Sequence, residues 1–192
     1  MKHFVDVLFA VIVFVFCMSM NANAASKNLI ANGSFERPET NSFTTLSRGS
    51  HEIPGWQITL GTVDIIGANW QAASGKQSLD LDGTPGPGGI AQSFSTVPGL
   101  KYTLTFSLAG NPECAPSIKK LLVKVASVRK RYSFDASHTS DSAMGWRKIS
   151  LEFTAKDKRT TLAFISLDAA SNCGPALDAI AVEESSSATV VP

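Results

Sequence analysis

The sequence predicts an all-β protein, a single β-sandwich of jelly-roll type, and three observations carry that prediction. Apolar and polar residues alternate with period two in several segments. Turn dipeptides built on Gly, Pro and Asn separate those segments. Beyond the N-terminus, no stretch repeats its apolar residues at helical spacing.

Element by element, the chain opens with basic Lys2 and His3, a nearly continuous apolar run from Val7 to Met18, and the small-x-small site Ala22-Asn23-Ala24. A membrane helix needs about 20 apolar residues, so residues 1–24 read as a secretory signal peptide cleaved after Ala24. Strand-like runs follow at 28–35, 56–59, 63–66, 77–81 and 90–95. The clearest strand comes next: Tyr102, Leu104, Phe106 and Leu108 alternate with Thr103, Thr105 and Ser107. Leu121, Val123 and Val125 alternate with Lys120, Leu122 and Lys124, and Ile149, Leu151 and Phe153 with Lys148, Ser150 and Glu152. In 160–167 both faces are apolar, Leu162 and Phe164 on one side and Ala163, Ile165 and Leu167 on the other, which places that strand mid-sheet. A last run covers 176–182. Turns fall at Asn32-Gly33, Pro54-Gly55, Ser74-Gly75, Pro98-Gly99 and Gly174-Pro175. About ten short strands with such punctuation make a sandwich. No linker or repeat interrupts it, so residues 25–184 form one domain, and the Ser-rich tail 185–192 is expected to be mobile.

With 17 Lys and Arg against 16 Asp and Glu, the chain lacks the clustered cations of a nucleic-acid groove. Lys119-Lys120 and Arg129-Lys130-Arg131 are its basic clusters. With Tyr132 beside the second, a weak nucleic-acid or anionic-glycan patch is conceivable, but a solvated hairpin end is the simpler reading. Cys17 leaves with the signal peptide, and Cys114 and Cys173 remain in Pro/Gly/Asn-rich loops. In an oxidising compartment they most simply form a disulfide; a metal or redox pair is the alternative, though neither has a CxxC partner or nearby His.

An ordered series of motifs resembles a known family. It runs Asn28-Leu29-Ile30-Ala31-Asn32-Gly33-Ser34-Phe35-Glu36, Ile53-Pro54-Gly55-Trp56, Val63-Asp64-Ile65-Ile66-Gly67 and Trp70-Gln71-Ala72-Ala73-Ser74-Gly75. Ser78-Leu79-Asp80-Leu81-Asp82-Gly83, Gly88-Gly89-Ile90-Ala91-Gln92-Ser93-Phe94, Leu108-Ala109-Gly110-Asn111-Pro112, Met144-Gly145-Trp146 and Cys173-Gly174-Pro175-Ala176-Leu177-Asp178 follow. The series is similar to bacterial choice-of-anchor C secreted proteins and to the plant cell-wall family catalogued as domain of unknown function 642. The resemblance implies a galactose-binding-like jelly roll, extracellular and associated with wall or matrix polysaccharide, with no established reaction. The bacterial relatives usually continue into an anchor, whereas this chain ends at Pro192. Free secretion is therefore expected, extracellular or, in a Gram-negative host, periplasmic.

The resemblance also implies a structural calcium joining the first strand to the last through one acidic residue in each. The matching positions are Glu36 and Asp178, with backbone carbonyls near Ser34 as further ligands. Asp178 shares a predicted face with Ile180 and Val182, so it needs a cation, a Lys or Arg partner, or backbone amides. For a glycan, Trp70 supplies the aromatic face, with Gln71, Asp80 and Asp82 as hydrogen-bonding partners beside the loop 83–89. A partly buried Trp70 and a long exposed turn are the structural alternatives. Trp56 and Trp146 follow turn glycines and read as structural; Tyr132 is a weaker ligand candidate. Asp64, Asp80, Asp82 and Glu113 could supply a glycosidase pair, but His51 and His138 fall in no HExxH, and no GxSxG elbow is present. Asn32-Gly33-Ser34 matches a glycosylation sequon and serves equally as a tight turn. The reading is a non-catalytic carbohydrate-binding module; the alternatives are a secreted protein–protein interaction module or a glycoside hydrolase.

Overall fold

The computed structural model describes residues 27–169 and 171–185. The expected signal peptide and all of the tail beyond Ser185 lie outside the described residues. Thirteen strands follow in chain order: β1 (Phe43–Ser47), β2 (Gln57–Leu60), β3 (Thr62–Ile66), β4 (Ser78–Asp80), β5 (Asp82–Gly83), β6 (Gly86–Pro87), β7 (Gly89–Ser95), β8 (Lys101–Gly110), β9 (Ile118–Val125), β10 (Val128–Asp135), β11 (Arg147–Thr154), β12 (Arg159–Ser166) and β13 (Pro175–Glu184). A six-stranded sheet ordered β1-β3-β4-β13-β8-β11 packs on a five-stranded sheet ordered β10-β9-β12-β7-β2. All pairings are antiparallel and no described residue is α-helical, so the predicted all-β sandwich is the fold.

Alternation decides the two faces. Tyr102, Leu104, Phe106 and Leu108 of β8 are buried between the sheets, while Lys101, Thr103, Thr105 and Ser107 point outward. Across the core Phe106 meets Phe164 edge to face at 5.2 Å, and Phe164, Trp56 and Phe35 continue the ring contacts toward the N-terminal segment. Burying each such side chain is worth about 1.5–3 kcal/mol. β12 is the middle strand of its sheet, as its two apolar faces require.

Three features depart from expectation. Residues 28–35 are irregular, with positive φ at Asn32 and Phe35. They still bond to β13, through Leu29 N–H to Val182 O (2.8 Å) and Ile180 N–H to Gly33 O (2.9 Å). β1 and β10 have no counterpart among the expected strands. The basic cluster at 129–131 lies along edge strand β10, and Lys119 is not solvated. It is buried, its Nζ donating to Cys114 O (2.8 Å) and Cys173 O (2.6 Å). Those two cysteines form the disulfide, tying the β8–β9 connection to the β12–β13 connection. Ser185, first residue of the tail, is held by Lys101 O and Thr103 Oγ1.

Candidate functional site on the six-stranded sheet

Strand register places the site. Residues paired across neighbouring strands share a face, so Thr45, Asp64, Asp80, Ala176 and Ala109 form one row across the outer face of the six-stranded sheet. Phe43, Ile66 and Ser78 form the next row. The segment from Gly67 to Gln77 crosses this face as a flap, held by Gly67 N–H to Ser42 O (2.6 Å), Trp70 Nε1–H to Ser78 Oγ (2.6 Å) and Trp146 Nε1–H to Gln71 O (2.8 Å).

Between flap and sheet opens a cleft of about 220 Å³. Asp64 and Asp80 line it together with Phe43, Trp70 and Ile66. Asn69, Thr84, Asn111, Glu113, Asn172 and Cys173 complete the lining. Phe43 is 55% exposed, a large ring at the mouth. Asp80 Oδ1 accepts from the N–H groups of Asp82 and Gly174 (2.9 Å each), and Oδ2 accepts from Asn111 Nδ2 (2.8 Å). Burial nevertheless pushes Asp80 up to about 8, reinforced by the charge of Asp82 and opposed by those three donors. Burial likewise raises Asp64, with the Thr45 hydroxyl opposing; Asp64 Oδ1 has no hydrogen-bond partner.

The structure separates the four expected glycan contacts. Asp80 lines the cleft but is only 1% exposed, and both its oxygens already accept hydrogen bonds, so it braces the floor rather than offering an open contact. Trp70 also lines it, but the residue is only 6% exposed and its indole N–H is already bonded, so it serves as wall rather than open platform. Gln71 is exposed and joins the flap to residues 141–146 through its main chain; it does not line the cleft. Asp82 is 0% exposed: any Cβ at Gly174 would sit 2.5 Å from its Cγ, so it is sealed from ligand. Burial lifts Asp82 to about 6, with Ser166 and Lys119 opposing and Asp168 reinforcing. Asp64 and Glu113, considered only as hydrolase residues, join Asp80 here, whereas Phe43 carries no sequence signal beyond its place in a Ser/Thr-rich run.

The calcium candidates also have a defined environment. Asp178 does not share the inner face with Val182. A β-bulge between Asp178 and Ala181, with φ 49° at Ala179, switches parity. Asp178 therefore lies opposite Ser107 on the outer face, buried under the flap. Its Oδ2 accepts from Ala73 and Ser74 N–H (2.7 and 2.8 Å), and its Oδ1 from Ala179 N–H (2.5 Å). Burial raises it to about 7, those amides opposing and the charge of Glu36 reinforcing. Glu36 Oε1 accepts from Lys76 and Gln77 N–H (2.9 and 3.0 Å). The two acids clasp the flap, and Ser34 is half-buried in the adjoining segment. Asn32 of the sequon bonds to Arg37 through both ends of its amide, the turn its sequence implied.

This architecture, two antiparallel sheets packed face to face with a cleft on one outer face, is a jelly-roll β-sandwich. Among solved structures the chain is similar to an arabinose-bound α-L-arabinofuranosidase, MgGH51 (TM-score 0.54, 13% identity), covering 81% of this chain and 26% of that one. It is also similar to TmCBM61 in complex with β-1,4-galactotriose (TM-score 0.48, 13% identity, 83% and 100% covered). The chain belongs to the family described as "Protein of unknown function (DUF642)", whose family model matches residues 28–183. It is 30% identical over 173 residues to Halomucin of Haloquadratum walsbyi, covering 86% of this chain and spanning only 2% of Halomucin.

Proposed function

We propose that this protein is a secreted, non-catalytic carbohydrate-binding module that takes a sugar residue of a wall or matrix polysaccharide in the cleft beneath Phe43. One observation carries the reading: an exposed aromatic ring stands over a recess lined by carboxylates and amides. The ring suits the apolar side of a pyranose, while exposed Glu113 and the unpartnered Asp64 Oδ1 can accept from its hydroxyls and Asn69 and Asn172 offer both donor and acceptor atoms. At about 220 Å³ the cleft falls below the roughly 300 Å³ at which drug-sized pockets begin, which favours one sugar ring or a chain end. The apolar N-terminal run and the disulfide support export.

A structural calcium at Glu36 and Asp178 is part of the proposal. The charges of the two acids repel each other, Asp178 is met by backbone amides rather than by a Lys or Arg side chain, and a carbonyl from the Ser34 segment would add a hard oxygen ligand. The ion would offset the repulsion and fix the flap. A hydrolase reading draws on Asp64, Asp80 and Glu113 sharing the cleft, with Asp80 held protonated at neutral pH.

The test is affinity electrophoresis or pull-down on a panel of neutral polysaccharides with wild type and Phe43→Ala. Retention that oligosaccharide competes, weakened about 2–10-fold in the variant, supports the proposal. Unchanged retention removes the cleft from binding, released reducing ends favour the hydrolase, and protein capture insensitive to sugars assigns a protein partner.

A further inference from the structure

The near-balance of charge hides a segregation. On the outer face of the five-stranded sheet, register aligns Arg129 with Lys124 and Arg131 with Leu122, and sets Lys120 beside Ser133 and Arg159 beside Ser95. Among these register-paired outward positions the acid is Asp135; Asp168, just past β12, also meets Lys120, accepting from its N–H and interacting with its charge, whereas no acid is paired with Lys124, Arg129 or Arg131. Arg129 and Lys124 are like charges directly opposite each other, a pairing that costs stability. Protection of the edge strand accounts for cations on β10. It does not account for Lys120 and Lys124 on the second strand, or for Arg159 on the third. Successive rows lie about 6.7 Å apart along the strands, so the cations at 120, 131 and 124/129 form a stripe about 13 Å long.

We propose that this face is a second binding surface, separate from the cleft, for an anionic polysaccharide lying across β9 and β10. Charge complementarity selects the polymer, because an anionic chain would relieve the Arg129–Lys124 repulsion that nothing on the sheet relieves. The aromatics of β10 argue against a single-stranded nucleic acid in its place. Phe134 is buried, and half-buried Tyr132 packs against the core with Lys130 Nζ 5.4 Å from its ring centroid, so neither stands outward as an open platform for base stacking. Between the cations the face offers hydroxyls, Ser133, Thr161 and Ser93, and the half-buried Leu122 and Ile165. The stripe does not depend on the cleft: it lies on the opposite sheet, and its ligand carries the charge that Asp64 and Glu113 would repel.

The experiment measures binding of the secreted full chain to polygalacturonate at about 50 and 200 mM salt, with dextran as the neutral control. Duplex DNA and phosphatidylserine vesicles serve as competitors. Expected is binding that salt abolishes and that Lys124→Gln, Arg129→Gln and Arg131→Gln together weaken about tenfold or more, with unchanged or higher melting temperature. Phe43→Ala should leave it intact. No binding at low salt, or equal binding by the triple variant, overturns the proposal. Tighter binding to DNA or vesicles than to polygalacturonate overturns it in favour of that partner. Failure here leaves the neutral-glycan result of the cleft standing, and the reverse holds too.

Discussion

Raising the pH from 5 to 8 should destabilise this protein, and Asp80 should account for much of the loss. The side chain is almost fully buried and titrates near 8 in the folded chain, against about 3.8 for an ordinary Asp. The folded state therefore holds a proton that the unfolded chain releases. The stabilisation linked to it is fully present below about pH 4 and lost as the pH rises through 8. Three pH units inside that window correspond to at most about 4 kcal/mol, or roughly 8–16 °C in melting temperature for a domain of this size. Asp64, Asp82 and Asp168 are shifted the same way by burial, so the single-site readout is a difference in slope. Asp80→Asn keeps a carbonyl for the Asp82 and Gly174 amides but cannot ionise, and it sets its NH₂ against that of Asn111. The variant should melt lower at pH 5 and lose stability less steeply toward pH 8. Melting curves at half-unit intervals decide it: a wild-type profile that is flat or rising from pH 5 to 8, or a variant falling as steeply as wild type, refutes the reasoning.

Reduction of the Cys114–Cys173 bridge, which spans 59 residues, should cost about 4 kcal/mol on the loop-entropy account, read by urea melts with and without reductant. Gly33→Ala would place a Cβ 2.0 Å from Ile180 O, prising the N-terminal segment from β13; a loss above about 2 kcal/mol is expected, and a neutral result contradicts that close approach. If calcium sits between Glu36 and Asp178, chelator lowers the melting temperature of wild type and leaves Asp178→Asn unmoved. Metal-free protein with a chelator-insensitive melt ends the calcium reading.

Much of the fold was legible because burial imposes period two. β8, β9 and β11 carry that period almost without fault, and the doubly apolar run at 160–167 names its own place in the middle of a sheet. β1 and β10 were not legible for a physical reason. β1 buries little beyond Leu46, and basic residues dilute the alternation of β10; edge position alone does not decide this, because edge strand β11 keeps its alternation. The N-terminal run looked strand-like because its apolar residues are buried, yet it achieves this through turns and positive φ angles.

The site was harder to read, because alternation assigns faces only while register is unbroken. Counting back from Val182 by twos places Asp178 inside, but the bulge at Ala179 inserts one residue and reverses the count, which sequence alone does not announce. The acid then faces outward, where it would meet water if the flap did not cover it. That flap is drawn onto the sheet by the two acids, through Ala73 and Ser74 on Asp178 and Lys76 and Gln77 on Glu36. Anchoring it there lays Trp70 over Ser78 and walls one side of the cleft, while Phe43 stays open on the edge strand across from it. The residues suspected of holding a metal and those suspected of holding a sugar are thus parts of one construction. Loosening the Glu36–Asp178 clasp, by Asp178→Asn or by loss of a bound ion, should weaken glycan binding at the cleft without touching any residue that lines it.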